Sequence, residues 1–164
     1  MKIILDKHAG FCFGVKNAVD QTLKAINENQ GKKIYTYGSL IHNRHVTEDL
    51  KRKGVEEIEN LTDIKDENSL IIIRSHGVPK SIINEINNKG FKYVDCTCPF
   101  VSRIHKIVED RYSNGYKVVI VGDKNHPEVI GINGWCNNEA IIIDDEKMVD
   151  KIPYNDKICL VAQK

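Results

Sequence analysis

The 164-residue sequence predicts an α/β fold built from repeated small lobes, each a parallel sheet flanked by helices. Three observations predict it. Continuous apolar runs at Ile71-Ile72-Ile73, Val118-Val119-Ile120-Val121 and Ile141-Ile142-Ile143 read as parallel strands covered on both faces. Between such runs, Val15, Ala18, Val19, Leu23 and Ile26, and later Val101, Ile104, Ile107 and Val108, recur at the three-to-four spacing of amphipathic helices. Gly31, Gly54, Gly90 and Gly115 each stand where a helix should stop before a strand or turn.

In chain order the strand candidates are Lys2–Leu5, Lys33–Tyr37, Leu70–Arg74, Tyr93–Asp95, Lys117–Val121, Ala140–Ile143 and Lys157–Val161. A repeat runs through them. Phe11-Cys12-Phe13-Gly14-Val15 opens the first helix, and Thr97-Cys98-Pro99-Phe100-Val101 opens a later one. Two strands end in glycine, at Gly38 and Gly122, and each is followed four residues on by a histidine, His42 or His126. The cysteines stand 86 residues apart and the histidines 84. Two independent features returning at nearly one offset indicate a duplicated unit. The expected division is residues 1–12 as an N-terminal strand leading to a central site, 13–97 as the first lobe and 98–164 as the second.

Composition narrows the function classes. With 41% apolar and 29% charged residues the chain reads as globular, and a net charge of +1 gives no reason to expect nucleic acid or an anionic membrane as partner. The N-terminal apolar run is too short for a signal peptide, and no stretch approaches the roughly 20 apolar residues of a membrane span. A cytoplasmic location is expected, where the five cysteines are reduced thiols available to metal or catalysis.

The chemistry-bearing residues gather at strand ends and helix starts, where open α/β sheets collect ligands. Cys12 and Cys98 each lie at such a junction, where free N–H groups and the helix dipole favour the thiolate that binds metal. Cys96, one residue from Thr97 and two from Cys98, has no counterpart in the repeat and is expected to be packed. Cys136 and Cys159 match nothing in the repeat either. His42, His76 and His126 each follow a strand, so three imidazoles can converge on one anion. His8, His45 and His105 lack that placement and read as surface or packing residues. Glu128, two residues after His126, is either a favourable charge in a first helical turn or a proton donor beside the imidazole.

Gly10-Phe11-Cys12-Phe13-Gly14-Val15, Ile41-His42-Asn43-Arg44, Ser75-His76-Gly77-Val78, Thr97-Cys98-Pro99 and His126-Pro127-Glu128-Val129 together resemble the 4-hydroxy-3-methylbut-2-enyl diphosphate reductase (IspH/LytB) family, along the whole chain and in the same order. The resemblance implies a three-lobed cloverleaf around a 4Fe–4S iron–sulfur cluster, with one cysteine from each lobe region. It implies Cys12 and Cys98 as cluster ligands, His42, His76 and His126 on the diphosphate, His126 also near the substrate hydroxyl, and Glu128 delivering protons. It implies an isoprenoid-pathway oxidoreductase that removes an allylic hydroxyl, using ferredoxin or flavodoxin as electron donor.

The sequence departs from that pattern by its length. The family's third lobe and third cluster cysteine have no counterpart up to Lys164, so the chain is expected to be an N-terminal portion, inactive alone. Leu160-Val161-Ala162-Gln163-Lys164 resembles the family's stretch near a Gln-Thr-Thr element, with Lys164 where the first threonine is expected. Two rival readings stay open: a zinc or thiol-redox protein using Cys96, Cys98, Cys136 and the histidines, and a non-catalytic phosphate-binding module. Visible absorbance separates iron from zinc; binding without turnover marks the module.

Overall fold

The isoleucine run at residues 71–73 forms the centre of the first sheet, and the reason is visible in its neighbours. In the computed structural model, which describes residues 3, 4, 6, 9–154 and 157–163, strand β3 (Leu70–Ile73) is buried at all four positions. Helix α1 (Phe13–Glu28) precedes β1 (Ile34–Tyr37); helix α2 (Arg44–Arg52) and strand β2 (Val55–Ile58) follow. After β3 come α3 (Lys80–Asn88) and β4 (Lys92–Asp95). The strand order is β2-β1-β3-β4 and all pairings are parallel. Successive strand residues point to opposite faces. Ile72 therefore packs with Ala18, Ala25, Leu50 and Cys96, while Ile71 and Ile73 pack with Tyr35, Val78 and Ile86.

The second sheet repeats the plan. Helix α4 (Pro99–Ser113) leads to β5 (Lys117–Val121), α5 (Pro127–Asn133), a 3-10 turn at Gly134–Cys136, β6 (Ile141–Ile143) and β7 (Ile158–Ala162). Its parallel order, β6-β5-β7, matches β2-β1-β3 of the first sheet. The duplication read from cysteine and histidine spacing is thus also a duplication of topology. Gly31, Gly54, Gly90 and Gly115 follow four helices and all take positive φ, the conformation that lets a helix end without a side-chain clash.

Two expectations need correction. Ile3 and Ile4 form no strand, and Lys2 and Leu5 lie outside the described residues, as do His8 and Lys164. Strand β2 lies outside the predicted strands: Val55 and Ile58 are buried while Glu56 and Glu57 are exposed, so this edge strand has no continuous apolar run. Among the described residues, no helix is long and apolar enough to cross a membrane.

Candidate functional site

Three loops leave the carboxyl ends of β1, β3 and β5 and each carries one imidazole inward. After β1 the chain buries Leu40 and Ile41, which leaves His42 displayed; Asn43 then caps α2 by accepting from the Val46 N–H at 3.2 Å. After β3, the turn Arg74–Gly77 is closed by a Gly77 N–H to Arg74 carbonyl bond of 3.0 Å and presents His76. After β5, Asp123 accepts from the Asn125 N–H through its side chain and from the His126 N–H through its carbonyl, placing His126 at the N-cap of α5. The ring centroids of His42 and His76 are 4.4 Å apart, and each lies 5.6 Å from that of His126. One nitrogen from each ring falls within 4.8 Å of the others. The three histidines expected to converge are brought together.

At His126 the hydrogen bonding suits an anion at the outer ring nitrogen. The His126 Nδ1 accepts from the Glu128 N–H at 3.1 Å, which leaves the ring proton on Nε2 as a donor. A metal at that nitrogen would require the proton to move and the cap bond to break. Burial, followed by the charges of His42, Arg74 and His126, pushes His76 down to about 4, so its ring is neutral at pH 7. The buried Nδ1 of His76 has no hydrogen-bond partner among the described residues. A neutral imidazole still donates one N–H, and a phosphate oxygen beside it stabilises the charged form as well.

Beside the imidazoles, Cys12 is the N-cap of α1 and Cys98 the N-cap of α4, and neither side chain caps its own helix. Both thiols thus stand at the positive end of a helix dipole. Gly14 lets the start of α1 lie against Cys98: a Cβ there would meet Cys98 Sγ at 2.5 Å. A cavity of about 320 Å³ is lined by Cys12, Cys98, Ser75, His76 and Glu128 among others. Glu128, in the first turn of α5, is buried at 4% exposure on this wall. Cysteines and acid therefore share one space with a member of the imidazole cluster.

The other cysteines are different in kind. Cys96 is fully buried against Thr22 Oγ1 at 4.0 Å, and burial pushes its thiol up to about 11; burial does the same for Cys136. Cys159 is also buried, and its thiol is raised for the same reason. Cys96 packs in the core of the first sheet and Cys136 in that of the second, so the two do not share a site.

Several residues that build the site carry no obvious sequence signal. Gly131 and Gly134, three apart on one side of α5 and its 3-10 extension, lie against the loop after His76. A Cβ on Gly131 would sit 3.5 Å from the His76 carbonyl oxygen, and one on Gly134 would sit 2.3 Å from Pro79 Cβ. Trp135 adds a bond from Nε1 to the Val78 carbonyl at 3.0 Å. These contacts bring the helix carrying His126 up to the loop carrying His76. The three-residue glycine spacing is the one signal that could have suggested them.

His105, expected as surface or packing, is a packing residue with a cost. It is 4% exposed, stacked on Trp135 at 5.1 Å, and its Nε2 has no partner among the described residues. Burial holds it down to about 4, with Asp95 pulling the other way. The unfolded chain takes up this proton near pH 6.5, the folded chain only near 4. The contribution to stability is therefore full above pH 6.5 and is lost as pH falls from 6.5 to 4, by about 3 kcal/mol at the lower end. Urea unfolding at pH 7 and pH 4.5 should show a smaller acid loss in His105→Phe than in the parent; equal losses would contradict this account.

Comparison with known proteins gives a consistent result. The family model for LytB protein matches residues 3–164. A 4-hydroxy-3-methylbut-2-enyl diphosphate reductase from Alkaliphilus oremlandii is 47% identical over 163 residues, covering 99% of this chain and 58% of that protein. One of the same name from Clostridium tetani is 50% identical over 165 residues, covering 99% of this chain and 26% of that protein. The solved structure of the E-1-hydroxy-2-methyl-but-2-enyl-4-diphosphate reductase from Plasmodium falciparum superposes with a TM-score of 0.89 at 30% identity, over 96% of this chain and 49% of that one. A second, of (E)-4-hydroxy-3-methyl-but-2-enyl diphosphate reductase, gives a TM-score of 0.83 at 39% identity, over 98% of this chain and 57% of that one. The chain thus spans about half the length of most of these relatives, and it belongs to the LytB protein family.

Proposed function

We propose that this chain is part of a 4-hydroxy-3-methylbut-2-enyl diphosphate reductase of isoprenoid biosynthesis. The observation that carries the reading is the single cavity where Cys12, Cys98, His76 and Glu128 meet, beside imidazole nitrogens within 4.8 Å of one another. In this reading His42, His76 and His126 donate to the diphosphate and hold the carbon skeleton over the cysteines, where positioning lowers the barrier. His126, its proton on Nε2, faces the allylic hydroxyl as well. Glu128 holds the proton that this hydroxyl needs to depart as water. The balance is two electrons and two protons in, water and an isopentenyl or dimethylallyl diphosphate out.

Cys12 and Cys98 suit two thiolate positions of a 4Fe–4S cluster, because each is an uncapping N-cap cysteine at a helix dipole. No other cysteine among the described residues lines that cavity. Such a cluster, when bound, supplies single electrons and a Lewis-acidic iron to the allylic C–O bond. Ferredoxin or flavodoxin is the proposed electron donor and the cytoplasm the proposed location.

Anaerobic reconstitution of the full-length protein with iron and sulfide tests the reading. Broad visible absorbance and turnover of the allylic diphosphate are expected, with both abolished in Cys12→Ala and Cys98→Ala. A colourless protein that retains zinc would sink it. The 164-residue chain alone should not yield a stoichiometric 4Fe–4S spectrum. It does contain all three imidazoles, which favours a second reading for this portion by itself: a phosphate-binding module without turnover.

A further inference from the structure

The loops bearing His42 and His76 come from different strands, yet their rings lie closer than any other pair in the cluster, at 4.4 Å. Two contacts bridge these loops, made by the two residues that precede His76. Ser75 binds Leu40 twice: its N–H donates to the Leu40 carbonyl at 3.1 Å, and its Oγ donates to the same oxygen at 3.0 Å. Leu40 is two residues before His42. Arg74 reaches the other end of that loop. Its guanidinium lies so close over Gly38 that a Cβ there would stand 2.2 Å from Nη1 and 3.1 Å from Cζ. Gly38 has φ of +68°, so the loop turns sharply under the guanidinium. Arg74 Nε also donates to the Gly77 carbonyl, a long bond of 3.4 Å, so the side chain wraps the turn that presents His76.

We propose that Arg74, with Ser75, is a positioning residue that fixes His42 against His76 for recognition of a diphosphate. The proposal rests on the anion-site reading above for its functional consequence, but the geometry it asserts is independent of any ligand. The rigid guanidinium is the feature required: its Nη1 lies against Gly38 while its Nε holds Gly77, which a lysine ammonium on a flexible stem cannot do. Ser75 closes the inner end of the same loop through one shared acceptor.

The test separates position from charge. Arg74→Met and Arg74→Lys are compared with the parent by titration with inorganic pyrophosphate and by the ring-to-ring nuclear Overhauser effect between His42 and His76. Positioning predicts that both variants lose the ring-to-ring signal and that pyrophosphate binding weakens about tenfold in each. Ser75→Ala should weaken the same signal with a smaller change in affinity. Parental affinity and an intact ring signal in Arg74→Lys would assign the effect to charge alone and overturn the proposal. If the parent itself does not bind pyrophosphate, the anion-site reading fails, while the ring signal still decides whether Arg74 sets the geometry. Should Arg74→Met not fold, Arg74→Lys and Ser75→Ala carry both measurements.

Discussion

Gly134→Ala will lower both the stability of the fold and its affinity for pyrophosphate, although alanine suits the local backbone. Gly134 has φ of −65° and ψ of −10°, an ordinary right-handed conformation. A glycine-to-alanine change at such a position is normally favourable by roughly 0.4–1 kcal/mol through the unfolded chain. Here the added Cβ would sit 2.3 Å from Pro79 Cβ and 2.7 Å from Pro79 Cα. The second of these atoms is backbone and cannot rotate away. The helix end and the Pro79 loop must separate locally, and overpacking of this kind costs about 1–3 kcal/mol. The displacement acts where function is assembled: Pro79 ends the loop that starts at His76, and Gly134 ends the helix that starts at His126. Denaturant unfolding should therefore show a net loss of about 1–2 kcal/mol, with pyrophosphate affinity reduced at least tenfold. Parental values for both would mean that this helix and loop do not meet in solution as closely as described.

The contrast between what the sequence reveals and what it hides follows the range of each interaction. The central strands announce themselves because burial on both faces demands an apolar residue at every position, as at Ile71-Ile72-Ile73. Strand β2 does not, because as an edge strand it needs only Val55 and Ile58 inside. The histidines and the two N-cap cysteines were legible because duplication placed each at an equivalent strand or helix end, so one copy corroborates the other. His76 lies outside the two-fold pattern, and only its strand-end placement marks it. Gly14 is illegible, and Gly131 and Gly134 nearly so beyond their three-residue spacing, for a physical reason. What a missing Cβ makes room for is a residue far away in the chain, Cys98, His76 or Pro79, and no local period encodes that partner. Arg74 was hidden in the same way, since its task depends on Gly38 lying beneath it.

Gly14→Ala separates the stability of the fold from the competence of the cysteine site. Gly14 is the second residue of α1, a position where alanine exceeds glycine in helix propensity by about 0.8–1 kcal/mol. The new Cβ would lie 2.5 Å from Cys98 Sγ and 3.1 Å from Cys98 Cβ. The sulfur can rotate away, so the fold has an escape that Gly134→Ala lacks. Relief by that route turns the thiol out of the position it shares with Cys12 along the cavity wall. The propensity gain and the residual crowding oppose each other, leaving unfolding free energy within about 1 kcal/mol of the parent. Iron and sulfide retained after anaerobic reconstitution of the full-length protein should nevertheless fall to near the level of Cys98→Ala, while pyrophosphate binding at the imidazoles persists. Full iron retention in Gly14→Ala would show that Cys98 does not act from the rotamer against Gly14. Loss of pyrophosphate binding together with iron would show that the thiol and imidazole halves of the cavity are not mechanically separable.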